Sequence, residues 1–288
     1  MYKQTLKAIM ALLFSGSATI GLAGNDTMLL HSGWKFRQAG HSEWHPATVP
    51  GVVHTDLMDN GLIEDPYYRL NERSLQWIDK EDWIYEVSFD AGALTRGYEH
   101  IRLEFLGLDT YADVFLNETQ ILTADNMFRR WAAEVKPLLK ERGNVLRIYF
   151  HSPIKKALPQ YESLPYRYEA WNDQADNGGL AGKKLSPFTR KAGYHYGWDW
   201  GPRLVTSGIW RPVKLQGWNS LRLEDVFHRQ LEVSQETARV ETQVEIEAAA
   251  PVENAVITVS DGKRVLGSRS VQLHVGMNRV SVPFTIDN

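Results

Sequence analysis

The sequence predicts an all-β protein built from packed antiparallel sheets, and three observations carry that reading. The dominant hydropathy period is two residues, as in strands with one face buried. Turn residues separate the alternating runs at short intervals, which suits sandwiches better than helical bundles. The alternation then restarts near Leu221, so the 288 residues read as one large or two modest domains.

The first 23 residues read as a signal peptide outside the fold. Lys3 and Lys7 make a basic start, residues 8–14 a compact apolar stretch, and Gly21-Leu22-Ala23 a small-residue cleavage site, with cleavage expected after Ala23. The apolar stretch is too short for a bilayer span, so no membrane anchor is expected. The chain has no Cys, which rules out a lipidated cysteine and disulfides. Stability must then come from core size, and the expected location is a bacterial periplasm or secretion.

Residues 24–220 form the first expected unit. Alternating runs at 83–89, 101–105, 112–116, 145–150 and 213–215 read as its strands, and residues 54–60 and 137–142 as short helical turns. Residues 155–191 show no period and are rich in Tyr, Pro, Gly and Lys, so they read as a long surface loop. Asn117-Glu118-Thr119 fits a glycosylation sequon, but its place at the end of an apolar strand makes it a coincidence of spacing.

Residues 221–288 form the second. Residues 240–247 alternate without a break, Asp261-Gly262 marks a hairpin between 255–259 and 265–273, and Val280, Val282, Phe284 and Ile286 repeat the alternation. That makes about four strands, where an immunoglobulin-type sandwich has about seven. The apolar face through Val240, Val244, Ile246, Val280, Val282 and Phe284 is therefore expected to lack cover.

Charge excludes one class of partner. With 32 Lys and Arg against 35 Asp and Glu, the net charge is −3, and no stretch is basic enough to hold a nucleic-acid backbone. Ten Trp and twelve Tyr are many for this size. Most must be core.

Residues 193–217 hold the most telling motif, with Asp199 between Trp198 and Trp200 and Gly197 and Gly201-Pro202 on either side. On a loop, the three side chains can converge on a sugar: an indole takes the apolar C–H face of a pyranose and a carboxylate accepts its vicinal hydroxyls. In a strand, the two indoles would share one face and fill a core while Asp199 faced the other way. Both readings stand, and the flanking glycines and proline favour the loop. Trp210 enters an alternating run and reads as core. Arg203 either pairs with Asp199 or is a surface charge. Asp79, Glu81 and Asp82, with Lys80, read as a solvated charged turn. His41 and His45 have a metal-like spacing but neither a helix signal nor a third ligand, so no metal or other cofactor is expected.

Motifs in sequence order carry a family resemblance. Trp34-Lys35-Phe36, the run 47–57, Gly61-Leu62-Ile63-Glu64-Asp65-Pro66, the central stretch 105–117, residues 126–131 and 144–153, Trp198-Asp199-Trp200-Gly201-Pro202 and Gly208-Ile209-Trp210 together resemble the N-terminal domain of β-mannosidases in glycoside hydrolase family 2. The resemblance implies a jelly-roll (galactose-binding-like) sandwich over 24–220. It implies an incomplete immunoglobulin-like sandwich over 221–288, and after that a catalytic barrel carrying both catalytic glutamates of a retaining mechanism. No catalytic residue is then expected in this chain. Trp198, Asp199 and Trp200 are the expected substrate-binding residues, with Asn71 and Glu72 approaching the same pocket. Mannose-containing oligosaccharides or glycoproteins are the implied partners; a dimer is compatible with the sequence, which does not set the oligomeric state. The alternatives are a carbohydrate-binding module without catalysis and another exo-glycosidase of the family. The reading frame beyond Asn288 separates module from enzyme.

Overall fold

The computed structural model describes residues 26–262 and 264–287, together with the backbone of β1 (Ile9–Phe14). The expected signal segment otherwise lies outside the described residues. Strand β1 pairs antiparallel with residues 255–260, from Ile9 opposite Ser260 to Phe14 opposite Ala255. The chain divides into two compact units, residues 26–217 and residues 218–288 with the N-terminal segment. The architecture is all-β: a galactose-binding-like jelly-roll sandwich and a smaller sandwich of immunoglobulin type.

In the larger unit the strands are β2 (Asp26–Leu29), β3 (Lys35–Gln38), β4 (His45–Pro46), β5 (Trp83–Phe89), β6 (His100–Phe105), β7 (Tyr111–Leu116), β8 (Thr119–Asp125), β9 (Trp131–Glu134), β10 (Asn144–His151) and β11 (Val213–Trp218). They form a six-stranded sheet, β4-β3-β5-β10-β7-β8, and a four-stranded sheet, β2-β11-β6-β9. Alternation decides which side chains enter the core. In β10, Leu146, Ile148 and Phe150 are buried while Arg147 between them is exposed, and β7 buries Ala112, Val114 and Leu116 in the same way. Phe36, Tyr85, Leu103, Phe105 and Leu215 join them in one cluster, each large apolar side chain contributing about 1.5–3 kcal/mol.

The β7–β8 turn explains the sequon-like triplet. Asn117 (φ 48°) and Glu118 (φ 70°) both take positive φ, the backbone that a two-residue hairpin turn needs. The Asn117 amide donates to the Leu138 carbonyl (2.8 Å), and its oxygen accepts from the Val145 N–H (3.0 Å). That side chain closes the turn and is not free to carry a glycan.

Two expectations need correcting here. Residues 155–191 are not all loop, because α4 (Pro153–Ser163) runs through their start. Ser152 caps it by accepting from the Lys155 N–H (3.1 Å), Pro153 stands at the first turn, and Ile154 and Ala157 pack with Leu185, Tyr196 and Val205. Pro159 inside the helix hides its pattern. The 79–82 turn is not solvated either: Asp79 is buried, and Asp82 accepts from the Ser152 N–H and the Tyr149 hydroxyl, both at 2.8 Å. Among the described residues the unit also holds three short α-helices, α1 (Val53–Asp59) where one was expected, α2 (Asn71–Ser74) and α3 (Gly92–Gly97), and four short 3-10 turns.

The smaller unit contains β12 (Leu221–Val233), β13 (Thr237–Ala248), β14 (Val252–Ser260), β15 (Val265–Leu273) and β16 (Gly276–Asp287), in the sheets β12-β13-β16 and β1-β14-β15. Strand β12 escapes a period-two search because register shifts after Leu223 and Gln230 break its alternation. The face expected to lack cover is buried. Val244, Ile246 and Val282 pack in a cluster with Ala255, Ile257, Val259 and Leu273 of the β14–β15 hairpin. Among the described residues no helix is long and apolar enough to cross a membrane.

Candidate functional site

The segment holding Trp198, Asp199 and Trp200 is fastened on both sides by buried ion pairs. Before it, Lys191 donates to the Asp109 carboxylate and to the Thr206 carbonyl (2.7 Å), with both charged side chains almost wholly buried. After it, Arg203, fully buried, donates to Asp79 Oδ2 (2.6 Å) and Gln76 Oε1 (2.5 Å). The backbone at Arg203 is held as well. Its N–H donates to Glu72 (2.7 Å) and its carbonyl accepts from Gln76 (2.8 Å).

Between these clamps the chain makes a tight turn. Trp198 and Gly201 exchange N–H to carbonyl bonds of 3.4 Å in both directions, leaving Asp199 and Trp200 at the corners. The turn is braced from below by Gln174, whose amide donates to the Trp198 carbonyl (2.5 Å) and whose N–H donates to the Tyr196 carbonyl (2.9 Å). Gly197 is required there. Its φ is +111°, and a Cβ would stand 2.6 Å from Gln174 Cγ.

Trp198 and Trp200 line a pocket of about 520 Å³ whose opposite wall is α1 with the loop after it. His54, Thr55 and Met58 come from α1, Pro66 and Tyr67 from the loop, and Tyr194 and His195 from the turn before the motif. Helix α1 is held by Asp56, which accepts from the Thr48 N–H (2.8 Å) and the Tyr85 hydroxyl (2.6 Å). Its start is stitched to 207–209 by Val53 N–H to Ser207 (2.8 Å) and Gly51 N–H to Ile209 (2.9 Å). A Cβ on Gly208 would stand 2.7 Å from Gly51 O, so the two backbones meet directly. Asn71 fixes the loop through the Asp65 carbonyl (2.9 Å).

The two lining imidazoles are uncharged. Burial, with Lys191 and His195 nearby, lowers His54 to about 3. Burial and Lys191 lower His195 to about 4, although its Nδ1 lies 3.7 Å from the Asp109 carboxylate. Both rings are neutral at pH 7, and neither Nδ1 makes a hydrogen bond among the described residues. Burial also lowers Lys191, a shift that Asp109 opposes. An aromatic-walled pocket with two neutral imidazoles and the Asp65 carboxylate in its lining can take apolar faces of a ligand and offer few, directed polar contacts.

The loop reading of the motif holds, with differences in detail. Trp198 (37% exposed) and Trp200 (83% exposed) are not core, and both line the pocket. Asp199 is exposed at the turn corner and is not among the lining residues. Arg203 is neither its partner nor a surface charge; it pairs with Asp79, an acid distant in sequence. Trp210 is half-buried against Gly107 and donates to the Met127 carbonyl (3.1 Å). Glu72 acts through the Arg203 backbone and does not line the pocket. His54, His195 and Tyr67 were missed by sequence reasoning, since only α1's place against residues 207–209 brings them together.

Residues 34–211 match the family described as glycosyl hydrolase 2 galactose-binding domain-like. Over 264 residues the chain is 36% identical to beta-mannosidase B of Thermothelomyces thermophilus, covering 90% of this chain and 29% of that protein. Beta-mannosidase of Rattus norvegicus is 29% identical over 265 residues, 91% of this chain and 30% of that one. The crystal structure of beta-D-mannosidase from Dictyoglomus thermophilum superposes with a TM-score of 0.79 at 38% identity, over 91% of this chain and 31% of that one. An exo-chitosanase of Amycolatopsis orientalis, at 16% identity, shares the fold with a TM-score of 0.64. The chain thus spans about 30% of the length of these relatives.

Proposed function

The chain belongs to the glycosyl hydrolase 2 galactose-binding domain-like family, and on that premise we propose that it forms the N-terminal part of an exported, exo-acting retaining β-mannosidase. The whole enzyme would release terminal non-reducing β-D-mannose from oligosaccharides or glycoproteins. Both catalytic carboxylates would come from a barrel following these residues. This chain would supply a wall of the substrate pocket, and residues 1–23 the export signal.

The observation that supports this reading most directly is the aromatic pocket on a clamped turn, with Trp198 and Trp200 lining it and Asp199 at the corner. An indole offers its face to the C–H side of mannose, and Asp199 accepts from sugar hydroxyls at the rim. The neutral His54 and His195 add no positive charge to the pocket. A wall built on one rigid loop stops a glycan from running past its terminal sugar, which is the requirement of an exo-enzyme.

In the complete enzyme, Asp199→Asn should remove about 2–4 kcal/mol of transition-state binding, on the scale of charge-assisted hydrogen bonds. That corresponds to a fall in kcat/KM of roughly 30- to 1,000-fold. The melting temperature should not move, because Asp199 is exposed. An unchanged kcat/KM on an aryl β-mannoside would remove Asp199 from the site, and no turnover of any β-mannoside by the unaltered enzyme would overturn the function.

A further inference from the structure

The larger unit carries another cavity, of about 570 Å³, between α4 and the turn Ser186–Phe188. It shares no lining residue with the pocket at Trp198 and Trp200. Its volume falls in the range of small-molecule sites, about 300–1,000 Å³. The side chains within it are Tyr111, Phe188 and Tyr168 on the aromatic side, and Asp125, Arg190 and Gln160 on the polar side.

The aromatic groups are held in place before any ligand arrives. The Tyr168 ring is half-exposed and stands edge-on to Tyr166, with centroids 5.4 Å apart, and tilted against Phe188 at 5.7 Å. Phe188 is itself backed by Tyr161 at 5.9 Å. The Tyr111 hydroxyl donates to the Phe188 carbonyl (3.1 Å). Burial and the neighbouring Asp125 push that phenol upward, so it stays protonated. Asp125 ends β8, and the Arg190 backbone is tied to the next residues by a bond from the Met127 N–H (3.0 Å).

Asp125 and Arg190 lie 3.5 Å apart. Their charges cancel, yet one presents acceptors and the other donors side by side, which suits a pair of adjacent hydroxyls. A lone cation would instead select an acidic ligand. An exposed, propped aromatic face beside such a pair meets the two demands of a neutral pyranose. We propose that this groove is a second saccharide-binding site, one that takes neutral oligosaccharides and holds them without acting on them.

The test uses the 288-residue chain with β-1,4-linked mannotriose and cellotriose as probes, followed by calorimetry and saturation-transfer NMR. In a Trp200→Ala background, at least one trisaccharide should still bind. Adding Tyr168→Ala or Asp125→Ala should each weaken that binding tenfold or more, with saturation transfer from the protein to the trisaccharide protons lost. Both residues are exposed, so circular dichroism and the thermal midpoint should stay unchanged. No binding of either probe in the Trp200→Ala background, or binding indifferent to both added substitutions, would overturn the proposal. Turnover of a β-mannoside by the unaltered complete enzyme tests the function proposed above, so the two proposals fail separately.

Discussion

Replacing Arg203 by Met tests whether the motif loop is held by the buried pair behind it. Methionine keeps much of the apolar stem but removes the guanidinium, leaving Asp79 at 3% exposure with Lys80 (3.1 Å) as its remaining charged partner. Breaking one side of a buried pair costs about 3–5 kcal/mol because the other charge is stranded. The half-exposed Lys80 places Arg203→Met near the lower end, at about 3 kcal/mol. Asp79→Asn should cost more, about 4–5 kcal/mol, because it leaves Arg203 at 0% exposure with two of its nitrogens already without a hydrogen bond among the described residues. The double variant Asp79→Asn with Arg203→Met removes both charges and should be at least 2 kcal/mol, roughly, more stable than additivity predicts. Urea titration followed by tryptophan fluorescence measures all three. A change under about 0.5 kcal/mol for Arg203→Met, the size of an ordinary surface substitution, would refute the reasoning, as would simple additivity in the double variant.

Two further perturbations follow from the same site. His54 and His195 have folded-state pKa values lowered to about 3 and about 4, so the unfolded chain takes up their protons first as pH falls. Their contribution is fully present above pH 6.5 and is lost as pH falls, down to about 4 for His195 and about 3 for His54. Between pH 7 and 5 the loss should be about 4 kcal/mol at 1.36 kcal/mol per unit and group. Urea midpoints at pH 7, 6 and 5 measure it, and a His54→Gln/His195→Gln variant with an undiminished slope would show the protons to be bound elsewhere. Gly197→Ala should destabilise by about 1–3 kcal/mol through its positive φ and the Gln174 clash. Gly193→Ala, with nothing within 4 Å of its Cβ position, is the neutral control, and equal thermal midpoints for the two variants would contradict the account.

The strands were legible wherever one face is buried and no register shift intervenes, as in β7, β10 and β13, because there the period of the side chains is the period of the core. Strand β12 was not, since bulges reset its phase twice. Helix α4 had readable start signals in Ser152 and Pro153, but Pro159 argued against it. The loop at the tryptophans could be inferred from Gly197 and Gly201-Pro202. What holds it could not. Asp79 and Arg203 are 124 residues apart and Asp109 and Lys191 are 82 apart, and charge pairs at such separations leave no local pattern. His54 likewise reads as an ordinary helical residue until the backbone of 207–209 is laid against α1.

The two buried pairs that bracket the tryptophan turn also bear on how such a protein can change over generations. Lys191 with Asp109 and Arg203 with Asp79 fix the points where the turn leaves and rejoins the sandwich, and the corner residues Asp199 and Trp200 are exposed. These four side chains help to fix where the turn stands, while under the proposed function recognition falls to others. Substitutions at the corners can alter what the turn recognises without first loosening where it stands. The bracket works as a socket, and its two exposed corners are the places where a substitution disturbs the fold least.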